Sequence, residues 1–121
     1  MGAPVVHFEV HGSDLGTLTE FYSKLFDWEV HGVMPEYGLV HTNAGGKGID
    51  GGLGSGDRAP AKVIFYVEVG DPQKALDDAV ALGGTIVSPV MSIPGQVTMA
   101  HFADPDGNVV GIVAAETPTA G

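Results

Sequence analysis

Residues 5–14 read Val-Val-His-Phe-Glu-Val-His-Gly-Ser-Asp, and residues 63–71 read Val-Ile-Phe-Tyr-Val-Glu-Val-Gly-Asp. Each is a mostly apolar strand-like run closing on an aspartate that opens a helix. The sequence after each run is also alike: an amphipathic helix pattern, then three short strand-like runs, from Val5 to Gly54 and again from Val63 to Ala114. A repeat of half the chain sets the architecture. Two copies are too few for a solenoid, so two sheets that complete each other are expected.

In the first run Val6, Phe8 and Val10 alternate with His7, Glu9 and His11, the period of a half-buried strand. Ser13 or Asp14 then caps a helix whose apolar stripe is Leu15, Leu18, Phe21, Tyr22, Leu25 and Phe26, at spacings of three and four. Strands are predicted over Trp28–Met34, Tyr37–Thr42 and Ile49–Gly54, separated by a Pro-Glu turn and the loop Asn43–Gly48. The second copy places Asp71 and Pro72 as cap and first helical residue, Ala75, Leu76, Ala79, Val80 and Leu82 as the buried stripe, and Gly83-Gly84 as the stop. Thr85–Met91, Gln96–Ala103 and Val109–Ala114 follow as strands, the last two joined by Asp104-Pro105-Asp106-Gly107-Asn108. That pentapeptide reads as a tight turn rather than a calcium loop, which needs more ligands at wider spacing.

The predicted fold class is therefore α+β: paired βαβββ modules forming an open, cleft-containing mixed β-sheet. Module one spans about 4–57 and module two about 58–115, in a single domain covering 1–121, with a flexible tail over 116–121. The length suits one domain with a real core. Hydrophobic residues make up 44% and charged residues 17%, which are globular values.

Fifteen acids against five bases give a formal charge of −10, too acidic for a phosphate-binding surface, so no nucleic-acid partner is expected. There is no cysteine, which excludes disulfides, thiolate metal sites and cysteine nucleophiles and suits a reducing compartment. No charged-then-apolar leader precedes Pro4, and no apolar run approaches the roughly 18 to 20 residues that span a bilayer. A cytoplasmic protein with no membrane association is expected. The string Gly46-x-Gly48-x-x-Gly51 copies a dinucleotide fingerprint, but no helix follows it. It reads as a flexible loop leading into a short strand, placed to act as a lid.

The doubled βαβββ order, the stretch Phe21-Tyr22-x-x-Leu25-Phe26-x-Trp28 and the series Gly83-Gly84 … Asp104-Pro105-Asp106-Gly107-Asn108 together resemble the vicinal oxygen chelate superfamily. This is the group of glyoxalase I, bleomycin-resistance and fosfomycin-resistance proteins and extradiol dioxygenases. The resemblance runs from Val5 to Val113 and implies the fold more than any one reaction. It also implies a divalent metal held from the first, fourth, fifth and last strands. His7 matches the first ligand. Ile64 stands at the second histidine's place, Gly111 at the glutamate's, and the fourth-strand position falls among Gly51, Gly52 and Leu53, with Asp50 nearby. One usual ligand out of four is present, and a catalytic ion normally needs about three.

If the turn pairs Ala103 with Val109, His101 lies opposite Gly111 on the same face. Strand parity then assembles a cleft wall of His7, Glu9, Tyr66, Glu68, Met99 and His101, with His11 near the rim. His7, Glu68 and His101 are the candidate catalytic groups, and Glu9, Tyr37, Tyr66 and Met99 the candidate ligand-binding groups. His7, Glu68 and His101 are also the substitute metal set. Trp28 and Phe65 are expected in the core, and His11, His31 and His41 at the surface. The resemblance implies a homodimer, and the cleft residues point to binding of a small organic molecule, either sequestering it or converting it by acid-base chemistry without a metal. A metal-dependent lyase, isomerase or dioxygenase and an interaction module with a vestigial pocket are the alternatives.

Overall fold

A computed structural model of the chain describes residues 2–42, 45–56, 60–94 and 97–115. The predicted tail 116–121, Asn43 and Ala44 of the predicted loop and Gln96 of the predicted strand lie outside the described residues. The observed order is β1 (Val5–Gly12), α1 (Leu15–Phe26), β2 (Glu29–Met34), β3 (Tyr37–His41), β4 (Gly51–Ser55), β5 (Val63–Val69), α2 (Pro72–Ala81), β6 (Thr85–Ile93), β7 (Val97–Ala103) and β8 (Val109–Ala114). This is an α+β chain of two βαβββ repeats. It divides into two compact units, Val6–Phe65 and Met1–Val5 with Tyr66–Gly121.

In the first unit the strands run in the order β2-β3-β4-β1, with β1 parallel to β4 and the other neighbours antiparallel. Asp14 caps α1 in extended backbone, accepting from the Gly16 amide at 3.0 Å and the Thr17 hydroxyl at 2.7 Å. Phe8 packs on Trp28 with ring centroids 5.4 Å apart, and Trp28 stacks on Tyr22 at 5.2 Å. These contacts put the Phe8 face of β1 against α1 and leave His7, Glu9 and His11 on the other face.

β4 is a strand made mostly of glycine, and Gly51, Gly52, Leu53 and Gly54 are all buried. A Cβ on Gly51 would lie 2.5 Å from the Phe8 carbonyl oxygen, so the missing side chain is what lets β1 and its ring approach.

In the second unit the order is β5-β8-β7-β6, with β5 parallel to β8. Asp71 caps α2 by accepting from the Lys74 amide at 3.2 Å, and Pro72 opens the helix. After α2 the Gly84 amide bonds back to the Ala79 carbonyl at 2.8 Å, with Gly83 at φ 102°. Leu76, Ala100 and Ile112 form the buried cluster, with Val67, Val69, Val90 and Phe102 against it. Asp104 closes the β7–β8 turn by accepting from the amides of Asp106 and Asn108, both at 2.9 Å. The turn fixes the register as the sequence implies: Ala103 faces Val109 and His101 faces Gly111.

Three expectations about burial need correction. Phe65 is exposed rather than core, because β5 turns Ile64 and Tyr66 inward and Val63 and Phe65 outward. No residue of α1 is buried, and Phe21, Leu25 and Phe26 are each more than half exposed. On α2 only Pro72 and Leu76 are buried, and Leu82 is 80% exposed. Among the described residues no helix is long and apolar enough to cross a membrane.

Candidate functional site

A polar cluster sits on the face of the first unit's sheet opposite α1. His7, Glu9 and His11 are two residues apart along β1, so the pleat sends all three to one side. Glu9 pairs across β1–β4 with Gly52, and His11 with Gly54, while Gly54 pairs in turn with Tyr37 on β3. The Tyr37 hydroxyl donates to Glu9 Oε2 at 2.8 Å and lies 3.1 Å from His7 Nε2. His7 Nε2 is 3.2 Å from the same Glu9 oxygen, and His11 Nε2 is 2.9 Å from the other, Oε1.

Glu9 is the electrostatic centre of the group. Burial alone would raise its pKa, but the hydrogen bonds from His7, His11 and Tyr37 and the charge on His7 outweigh burial and bring it from 4.5 to about 2. A carboxylate only accepts, so each of its three partners donates. That proton count puts hydrogen on Nε2 of both imidazoles and leaves Nδ1 as the basic atom of each when the ring is neutral. His11 Nδ1 is directed at β4, where a Cβ on Gly54 would lie 2.5 Å away.

The second unit holds the other sequence-predicted residues in two cross-strand rows. Tyr66, Gly111 and His101 are paired in one row, and Glu68, Val113 and Met99 in the next. The Tyr66 hydroxyl lies 2.8 Å from His101 Nε2, and both residues are buried, at 3% and 4% exposure. Glu68 and Met99 are partly buried.

His11 is the residue that sequence reasoning misses. The sequence places it near the rim and at the surface, whereas its side chain is 15% exposed and hydrogen-bonded to Glu9. Period two already put it on the face of His7 and Glu9; its turn toward the Glu9 carboxylate is what the sequence does not show. His31 is exposed, and His41 is partly buried with a ring nitrogen 3.4 Å from Asp50. A shallow open depression of about 670 Å³ at the start of α1, with Ser13, Gly16, Thr19 and Lys24 in its lining, shares no residue with the His7 cluster.

A family model described as the Glyoxalase/Bleomycin resistance protein/Dioxygenase superfamily matches residues 5–112. The chain belongs to this superfamily. Solved structures agree on the fold. A superfamily member from Vibrio splendidus 12B01 is 20% identical over 94% of this chain and all of its own, with a TM-score of 0.64. Methylmalonyl-CoA epimerase from Mycobacterium tuberculosis is 12% identical over 93% of this chain and 88% of its own, with a TM-score of 0.69. The Mn(II)-bound glyoxalase from Novosphingobium aromaticivorans is 19% identical over 98% of this chain and 42% of its own, with a TM-score of 0.57. A search of the curated proteins matches nothing.

Superfamily membership allows its metal to be tested against this chain's side chains. The position on β5 is Ile64, a buried hydrocarbon with no donor atom. The β4 position on the His7 face is Gly52, the partner of Glu9, and a Cβ there would overlap the Tyr37 hydroxyl. The β8 position is Gly111, where a Cβ would overlap the Tyr66 ring. Among the described residues no three His, Asp or Glu side chains form a group that could hold an ion. The Nε2 atoms of His7 and His11 are engaged by the two oxygens of Glu9. The superfamily's metal set does not fit this chain.

Proposed function

We propose that this chain binds a small organic molecule, neutral or cationic, at the His7, Glu9 and Tyr37 face and moves a proton on it through His7. Glu9 carries the reading: a carboxylate with its pKa lowered to about 2 remains a fixed negative charge across the working pH range. Beside it, an imidazole that takes up a proton at Nδ1 becomes an imidazolium already paired through Nε2. The step is transfer of a proton from a ligand carbon to Nδ1 of His7 and return of a proton from that nitrogen to the ligand, with exchange against water in between. The fixed charge disfavours phosphate-bearing ligands.

The test is a ligand screen followed by deuterium wash-in. Amide shifts of His7, Glu9 and Tyr37 are followed as ligands are added, and each binder is incubated with the protein in deuterated water. Exchange of a carbon-bound hydrogen that stops in His7→Ala supports proton transfer. Binding without exchange leaves sequestration, and a screen with no binder leaves an interaction module.

The same reading takes the protein as a cytoplasmic homodimer. The half-exposed Phe21, Leu25 and Phe26 of α1 support an apolar face for a second copy. Light scattering that returns a monomer mass at high micromolar concentration would contradict it.

A further inference from the structure

Each unit carries a tyrosine laid over a glycine, with its hydroxyl delivered to a histidine. In the first unit the glycine is Gly52 on β4, the tyrosine Tyr37 on β3 and the histidine His7 on β1. In the second, Gly111 lies on β8, Tyr66 on β5 and His101 on β7. The two β-α-β-β-β repeats make β4 equivalent to β8, β1 to β5 and β3 to β7. The glycine therefore occupies the same strand of both repeats, while histidine and tyrosine exchange strands. In each case the glycine strand is the middle one of three, and the histidine and tyrosine reach over it from the strands on either side.

Neither glycine needs its freedom for backbone reasons, since neither is among the positive-φ glycines of the chain. What the missing Cβ provides is room. At Gly52 it would meet the Tyr37 hydroxyl and ring, and at Gly111 the Tyr66 ring from three atoms at once. These are also the two glycines that stand where the superfamily's metal set calls for side chains.

We propose that Tyr37 and Tyr66 are positioning residues that occupy the space of two absent ligand side chains and orient His7 and His101 from there, with Gly52 and Gly111 as their seats. The proposal rests on the acid-base reading for what the histidines do. A phenol at hydrogen-bond distance from a ring nitrogen restricts imidazole rotation without itself titrating near neutral pH. A glycine seat explains why the ring can lie flat across the sheet instead of standing up from it.

Two measurements test the proposal, and neither uses a ligand, so an empty ligand screen strikes the acid-base reading and leaves these results intact. The first is a pair of double-mutant cycles read by urea unfolding. Gly52→Ala and Gly111→Ala should each lower the urea midpoint by about 1 M, the range expected when a methyl group is forced into a filled space. In the Tyr37→Ala and Tyr66→Ala backgrounds, respectively, the same glycine change should cost nothing or restore stability. A single variant that fails to fold and is recovered by removal of its tyrosine supports the seat equally. A glycine cost that persists unchanged without the tyrosine overturns the seat.

The second measurement is the imidazole nitrogen spectrum of ¹⁵N-histidine protein carrying Tyr37→Phe or Tyr66→Phe, which keeps the ring in its seat and removes only the hydroxyl. The ring-nitrogen shifts of His7 should move in Tyr37→Phe and those of His101 in Tyr66→Phe, with exposed His31 as the unchanged control. A tyrosine that only packs leaves every histidine signal in place, and that result overturns the positioning role.

Discussion

Replacing Glu9 with glutamine should flatten the acid limb of the stability profile. In the folded chain the Glu9 pKa falls from 4.5 to about 2. A shift of that size is worth about 3 kcal/mol at 1.36 kcal/mol per unit. Because the folded pKa is the lower one, the unfolded state binds the proton first as the solution is acidified. The stabilisation is complete above pH 4.5 and is lost as pH falls through the interval down to about 2.

Glu9→Gln has no proton to gain in that interval. It also puts an amide NH₂ where one imidazole N–H had an acceptor, so it begins less stable at neutral pH. Urea unfolding followed by circular dichroism, from pH 7 to pH 2 in half-unit steps, compares the two proteins. The difference between them should shrink by about 3 kcal/mol across pH 4.5 to 2, since the other fourteen acids are common to both and cancel. Parallel profiles over that interval would show that Glu9 does not hold its proton more weakly when folded, and the electrostatic account of the cluster would fail.

Two further outcomes follow from the same geometry. Leu53→Ala should cost about 2–5 kcal/mol, because this side chain is fully buried in a strand whose other buried members are glycines, whereas Leu82→Ala at 80% exposure should stay within about 0.5 kcal/mol; chemical denaturation of both separates them. Long-range ¹H–¹⁵N correlation spectra at pH 8 should show His7 and His11 with hydrogen on Nε2, and an Nδ1–H form of either would remove the donor that the Glu9 oxygens require.

How far the sequence could be read depended on whether the information was local. The β7–β8 register was legible because Asp104 to Asn108 form a turn that accepts its own amides, and a turn fixes every pair behind it. The helix starts were legible for the same reason, since Asp14 and Asp71 bond amides two or three residues ahead. Period two placed His7, Glu9 and His11 on one face, but it did not show that both imidazoles turn toward the carboxylate between them.

The role of the glycines was not legible. A glycine in a strand announces a close approach without naming what approaches. Gly52 answers to Tyr37 and Gly111 to Tyr66, partners brought in by sheet pairing rather than by neighbourhood in the chain. Burial failed where both faces of an element are apolar. In β5 alternation says that Ile64 and Phe65 point opposite ways but not which way is in, and in α1 an apolar stripe does not specify what covers it.

Metal content per chain tests the central claim most directly: three of the superfamily's four ligand places, all but that of His7, are filled here by tyrosine and hydrocarbon. Protein purified without chelators or a metal-binding tag is incubated in turn with manganese, iron, nickel and zinc, desalted, and measured by elemental mass spectrometry beside His7→Ala. The account predicts that neither protein retains a stoichiometric ion under any loading. Retention near one equivalent that disappears in His7→Ala would contradict it and return the site to metal-dependent chemistry.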